Sequence, residues 1–303
     1  MVNLVYQEIS NKPKKQRQYR LTVQTVDAKG NPTDSAIIID GNFTINFAVN
    51  RTLFADVNAM DIDIYNLAPN TYNALFFDYF NPNHRTVVLE AGYKGMEMSI
   101  IFIGSVWSCY TSRQGSDIIT RMHAIVGFKD LRPQTDATLA NISRNQILRT
   151  AANDIGLDIA IYSGEDTKFT RPVALEGNSF AIIQKYSNGN AHIDNNKIIV
   201  LDTYDAIEGE VPLINDESGL LGVPEHEDAL LRVKMIFEPR IVIGQIIEIK
   251  SRIAPMFNGQ YKVYGIKHEG TISESIAGEA TTTLEMLVGS QLYGRFGIVN
   301  AQQ

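Results

Sequence analysis

Between Leu230 and Val288, apolar and polar side chains alternate with the period of a half-buried strand. Leu231, Val233, Met235 and Phe237 share one face of the first run, while Arg232, Lys234 and Glu238 take most of the other. Glu238-Pro239-Arg240 predicts a turn into a second strand, Ile241 to Ile249, and Asn258-Gly259 predicts another turn into a third strand, Tyr261 to Lys267. The first third repeats the pattern. Arg20 to Val26, Ala36 to Ile39, Val87 to Leu89, Met98 to Ile103 and Met122 to Phe128 read as strands. In two further strands Phe43, Ile45, Phe47 and Val49, and then Met60, Ile62 and Ile64, alternate with polar neighbours. Asn66 to Asn73 suits a short helix or turn. Many short strands broken by turns imply barrels or sandwiches.

The middle of the chain differs. Ser143-Arg144-Asn145-Gln146 fits a capping box, and Ile147, Leu148, Ala151, Ala152 and Ile155 form a helical stripe that Gly156 is placed to end. Phe180 to Ser187 reads as a second helix stopped by Asn188-Gly189. Ala191 to Asp194 and Lys197 to Leu201 read as a hairpin around Asn195-Asn196. The expected fold is therefore mainly β, with two β-barrel or sandwich domains, residues 1–132 and 205–303, and a small α+β insert, residues 133–204. The stretch from Asp205 to Asp228 mixes acidic residues with Gly209, Pro212, Gly219, Gly222 and Pro224, and reads as a linker or long excursion. Within it Gly219-Leu220-Leu221-Gly222-Val223-Pro224 is an apolar patch outside any clear element. It either tucks into its own domain or meets a neighbouring subunit, and Leu220, Leu221, Val223 and Pro224 are the candidate interface residues.

At 303 residues the chain is long enough for two or three cores. No apolar run approaches the roughly 20 residues of a membrane-spanning helix, and the first residues do not read as a signal peptide. The net charge of -7 argues against a surface built to grip nucleic acid throughout. The one basic cluster, Lys12, Lys14, Lys15, Arg17 and Arg20, is either an anion contact or a solvated loop. Cys109 is the single cysteine, so no internal disulfide is available, and it reads as a small buried hydrophobe. Three sequons, at Asn42, Asn50 and Asn141, read as chance.

The search for chemistry is largely negative. There is no Gly-x-Ser-x-Gly elbow and no phosphate-binding glycine loop. His84, His123, His192, His226 and His268 show no metal-ligand spacing. Asp61 and Asp63 share a strand face, as a solvated row or as a pair of oxygen ligands. Glu90 and Asp117 are a nominal acid and base for glycoside hydrolysis, which needs two carboxylates at a set separation. Trp107, Tyr110 and Phe128 belong either to a core or to a partner surface.

The order of motifs carries a resemblance. Phe43 to Arg51, Asn58 to Leu67, Val87 to Tyr93 and Ile101 to Ser105, followed by Gly219 to Pro224, Glu238 to Ile249, Asn258 to Val263 and Ile266 to Gly270, resemble the baseplate hub proteins of phage tails and related injection devices. The two stretches cover roughly two thirds of the chain. The resemblance implies two tube-like β domains per chain and a homotrimeric, pseudo-sixfold ring without cofactor, metal or catalytic site. It implies as partners the tail tube protein, the spike protein and the tape measure protein, with DNA only in transit. It places the chain in the virion tail baseplate, assembled in the host cytoplasm and without a membrane anchor. The acidic stretch from Asp205 to Asp228 would then suit a channel wall that does not hold DNA, with Lys12 to Arg20 turned away from the lumen. Residues 271–280 depart from the family pattern, which lengthens the last hairpin and leaves its register open. The competing readings are a tail-associated cell-wall glycan hydrolase and a carbohydrate-binding β module.

Overall fold

The computed structural model describes residues 6–8, 16–27, 31–53, 58–77, 85–127, 133–227, 230–274, 278–287, 297–299 and 302. The chain is mainly β, as the alternation implies. One open sheet dominates, running in hydrogen-bonded order from Tyr6–Glu8 at one end to Pro32–Asp40 at the other. No closed barrel is present among the described residues. The strand Gly259–Ile272 is central. Its first residues pair with Ile246–Lys250, and its later residues pair with Ile45–Thr52 on one side and Ala280–Leu287 on the other. It therefore joins the first and last thirds of the chain through backbone hydrogen bonds.

The insert folds as its local signals dictate. Ser143 accepts the Gln146 amide while the Gln146 side chain accepts the Ser143 amide, which completes the capping box of the helix Arg144–Ile155. Gly156 ends that helix at φ 80°, a conformation that only glycine adopts without cost. Asn178 caps the second helix, Ser179–Tyr186. Asn195 and Asn196, at φ 45° and 61°, form the turn between Ala191–Asp194 and Lys197–Val200.

Several elements differ from expectation. The Asp205 to Asp228 stretch is not a linker: it contains the strands Asp205–Ile207, Val211–Asn215 and Leu220–Glu227. Gly209 and Gly219 fall between strands, Gly222 and Pro224 fall at a bulge between Leu221 and Glu225, and Pro212 lies within Val211–Asn215, so these residues punctuate or join strands rather than prevent them. The second predicted strand is short, Ile246–Lys250. Ile241 and Ile243 are buried as a strand would bury them, but Gly244 at φ 87° breaks the ladder before Gln245. Asn258 does not make a two-residue hairpin. It closes a longer loop over the short helix Pro255–Phe257 by accepting the Ser251 amide at 2.7 Å. The strand predicted over Met98 to Ile103 is Ser99–Gln114, with a bulge between Val106 and Ser108. The departure at 271–280 leaves the register intact, because Gly270 still pairs with Ala280.

Two tests of this local reading are available. Ser143→Ala should lower stability by about 1 kcal/mol, the usual cost of a lost helix cap, read by denaturant unfolding. Gly270→Ala should cost considerably more. Gly270 sits at φ 144°, and a Cβ there would collide with the Glu279 carbonyl and Ala280 on the neighbouring strand. A Gly270→Ala protein as stable as the parent would contradict the described crossing.

Candidate functional site

Pairing register decides which side chains share a face, because directly opposed residues point to the same side of a sheet. Starting from Glu269, the register runs through Ala48, Asp61 and His123 to Ser108 in one direction, and through Thr281 to Ile236 in the other. A neighbouring row contains Thr271, Asn46, Asp63, Arg121 and Tyr110. Others contain Lys267 with Asn50, Thr283 and Lys234, and Glu285 with Arg232 and Glu225. One largely polar face thus crosses Leu220–Glu227, Leu230–Ile236, Ala280–Leu287, Gly259–Ile272, Ile45–Thr52, Ala59–Tyr65, Asp117–Ile125 and Ser99–Gln114 without a change of side. The opposite face, with Phe47, Val49, Met60, Leu284 and Val233, is core.

The charges on the polar face are locally matched. Lys267 lies 2.6 Å from Glu269, Arg232 lies 2.9 Å from Glu285, and Arg121 lies 3.6 Å from Asp63. His123 Nδ1 is 2.7 Å from Asp61 Oδ1. Burial raises the Asp63 carboxyl above its usual value, against the pull of Arg121. Exposed pairs like these contribute about 0–1 kcal/mol each to stability. Their larger effect is to leave little net field over the surface. Asp61 is therefore partnered by His123 and Asp63 by Arg121, and no three His, Cys, Asp or Glu side chains among the described residues are grouped to hold a metal.

The other candidates separate. Glu90 faces Arg20 at 3.6 Å, and Asp117 accepts from Asn66 at 3.1 Å. Their strand neighbours, Ile100 and Gln114, are at opposite ends of Ser99–Gln114, on the order of 40 Å of extended chain apart. They form no acid–base pair. Cys109 is fully buried and its thiol is pushed up to about 12 by desolvation, so it is an inert core residue. Tyr110 is 50% exposed, so core packing does not explain it. Phe128, His84, Lys12, Lys14 and Lys15 lie outside the described residues. Arg17 donates to the Gly278 carbonyl. The Leu220–Pro224 patch lies within a strand, contrary to expectation. Leu220 and Pro224 are buried, while Leu221 and Val223 are exposed beside a groove of about 700 Å³. Arg17, Arg232, Lys234 and Glu279 also line that groove.

A buried polar junction underlies the polar face, and the sequence reading missed it. Arg51 donates to both carboxylate oxygens of Asp194 at 2.8 and 2.6 Å, with both side chains almost fully buried. Asn58 reaches the Ile193 carbonyl, and Asn195 accepts the Ile103 amide. The fully buried Lys262 donates to the Asp202 and Thr203 carbonyls, and desolvation pushes it down to about 8. The Thr282 hydroxyl accepts the Glu238 amide at 2.9 Å and lies 2.9 Å from His268 Nδ1. His268 also meets Phe237 edge to face at 5.5 Å. The signal was available: Arg51 falls in phase with Ile45, Phe47 and Val49, an inward position where a charge requires a partner.

The fold and face define a class: an extended β platform with a small α+β insert. The model of the family described as "Baseplate hub gp41" matches residues 21–272, and the chain belongs to that family. No curated protein sequence matches it. Among solved structures it is similar to a 43 kDa tail protein of prophage MuSo2 from Shewanella oneidensis. The TM-score is 0.57 at 9% identity, covering 89% of this chain and 98% of the other. A tail protein from Neisseria meningitidis MC58 gives 0.55 at 8% identity, with 89% and 96% covered. A type VI secretion system component from E. coli, itself similar to the T4 bacteriophage tail proteins gp27 and gp5, gives 0.54 at 10% identity, with 84% and 76% covered. These likenesses concern the fold.

The junction predicts an acid-sensitive fold. Burial pushes His192 down to about 4 and His268 down to about 3, so both stay neutral in the folded chain while the unfolded chain protonates them below about 6.5. The unfolded state then binds more protons, and stability should fall as pH drops from about 6.5 towards 4 and 3. His268→Gln should flatten part of that slope in pH-dependent denaturant unfolding. Asp194→Asn, which leaves Arg51 buried beside a neutral group, should cost about 3–5 kcal/mol, whereas the Arg51→Met/Asp194→Leu double variant should cost less.

Proposed function

We propose that the chain is a non-catalytic hub subunit. Three copies close a ring in the tail baseplate, one side of which meets the tail tube and the other the central spike. Its channel passes the tape measure protein and then DNA. The units 1–132 and 205–303 are the two tube-like halves, and 133–204 is the insert between them. The observation that carries this reading is the polar face continuous over eight strands, four before residue 126 and four after residue 219. Two such halves per chain give a trimer the pseudo-sixfold character that a sixfold tube requires. Three copies of eight strands make 24, above the 16–18 at which closed barrels already hold an aqueous channel. We assign this face, rather than the acidic residues of 205–217, to the channel wall. Assembly in the host cytoplasm and residence in the virion tail follow from the same reading.

The native mass of the purified protein, followed by an image of the assembly, tests the ring. A closed threefold ring is the expected result, and a monomer at high concentration that binds neither tube nor spike protein would sink the reading. The wall is tested separately. Matched charges should leave the parent without salt-dependent affinity for duplex DNA. The Asp63→Asn/Glu269→Gln/Glu285→Gln variant frees three cations and should gain binding, with a slope of log affinity on log salt of about -2.7. Neutralising Glu208, Glu210 and Glu217 changes net charge equally and should produce no such slope. Equal binding by both variants would show that this face has no special part.

A further inference from the structure

The small sheet of the insert has Asp158–Ile161 at its edge. Lys197–Val200 lies beside that strand and Ala191–Asp194 beyond it. An edge strand presents unpaired amides and carbonyls, which an extended segment can meet. One residue does so here. Gln302, 138 positions beyond Gly164, makes an isolated antiparallel bridge with Ile161 and donates its amide to the Ile161 carbonyl at 2.6 Å. Three more bonds hold it. Asn145 Nδ2 donates to Gln302 Oε1 at 2.8 Å, Gln302 Nε2 donates to the Gly164 carbonyl at 3.2 Å, and Arg149 Nη2 donates to the Gln302 carbonyl at 2.9 Å.

The groups that meet Gln302 are held in place by one another. Asn145 and Arg149 stand four residues apart on the helix Arg144–Ile155, and so on one face of it. Asn145 is 7% exposed, and its Oδ1 accepts from Arg144 Nη1 at 3.2 Å, which turns its nitrogen towards Gln302. Its backbone amide donates to Asp166 at 2.8 Å and ties the loop carrying Gly164 to the start of the helix. Gly164, at φ 91°, lies so close to the Arg144 guanidinium that a Cβ would stand 2.7 Å from Nη2. A site fixed in this way loses little freedom when it is filled. It also discriminates. A glutamate would turn a second acceptor towards the Gly164 carbonyl, and an asparagine is one methylene too short to span Asn145 and Gly164.

We propose that the insert carries a glutamine-selective peptide socket, closed here by the chain's own Gln302 and able to take an extended, glutamine-bearing segment in its place. The seat is shallow. Gln302 is only half-buried and is joined to Asp158–Ile161 by a single bridge, while Gly297–Val299 is held by a separate parallel ladder to Asp205–Ile207. Hydrogen bonds this close to solvent open locally, without the sheet or the helix coming apart. The chain's own segment therefore acts as a resident competitor. Tethering gives it an effective concentration on the order of millimolar, which a free peptide must exceed.

Hydrogen exchange on the full chain tests the seat. Asn145→Asp keeps the oxygen that meets Arg144 but loses the donor that meets Gln302. Exchange at the Gln302 amide should quicken about tenfold, the usual effect of one lost hydrogen bond, while the amides of 148–152 within the helix keep their protection. An unchanged rate at Gln302 would overturn the socket. Selectivity is read with a ligand supplied in trans. Gln302→Pro in the full chain removes the amide donor and both side-chain bonds, and leaves the socket's own residues untouched. Saturation-transfer NMR should then detect saturable binding of an amidated peptide of residues 297–302. The same peptide carrying Gln302→Glu or Gln302→Ala should bind about tenfold more weakly, and so should the parent peptide on the Gln302→Pro/Asn145→Asp chain. Equal binding of the three peptides, or no binding to a Gln302→Pro chain that keeps the parent's circular dichroism, would overturn the proposal.

Discussion

The structure depends on the shared pairing of Gly259–Ile272. A strand that hydrogen-bonds on one edge to both Ile246–Lys250 and Ile45–Thr52, and on the other to Ala280–Leu287, leaves the two halves little freedom to move as separate bodies. Backbone ladders fix register as well as proximity. A slip of one residue at this strand would turn its own polar side chains inward and its core residues outward. The polar face therefore stays continuous between its two halves only while this strand keeps its register.

Packing beneath the strand adds a second constraint. Phe237 belongs by sequence to the last third, yet it packs edge to face on Phe47 at 5.9 Å, and its carbonyl accepts from Tyr93 at 2.7 Å. Two of the buried charges are placed against groups from another part of the chain: Arg51 against Asp194, and Lys262 against the carbonyls of Asp202 and Thr203. Isolated, each would be too costly to bury. Together they select one docking of the insert against the sheet, since any other leaves a charge without its partner. The family relationship is consistent with a part whose halves must stay in fixed relation.

What could be read from the sequence was what local chemistry determines. The capping box at Ser143, the stop at Gly156 and the turn at Asn195-Asn196 are decided within a few residues. The alternation of Leu231, Val233 and Met235 names a buried face without naming its neighbour. The misses share a cause. Leu220–Glu227 was hidden because glycine and proline also mark bulges, and Ile241 to Ile249 was overextended because a buried loop with alternating isoleucines imitates a strand. Glu90 and Asp117 had no measurable separation until the long strand set it. The polar face could not be read because it is assembled by pairings between residues more than 200 positions apart, such as Asn46 and Thr271.

That separation also bears on synthesis. Ile45–Thr52 leaves the ribosome with one edge satisfied by Ala59–Tyr65, but the strand that covers its other edge is made more than 200 positions later. Non-local pairing of this kind forms slowly, because loop closure must precede any gain from the contact. While the intervening residues are made, the nascent chain therefore carries a hydrophobic-backed edge with no native partner, the state in which β proteins associate wrongly. The polar side chains of that strand, Asn46 and Asn50, which later contribute to the finished face, also make the waiting edge less adhesive while the rest of the chain is being made.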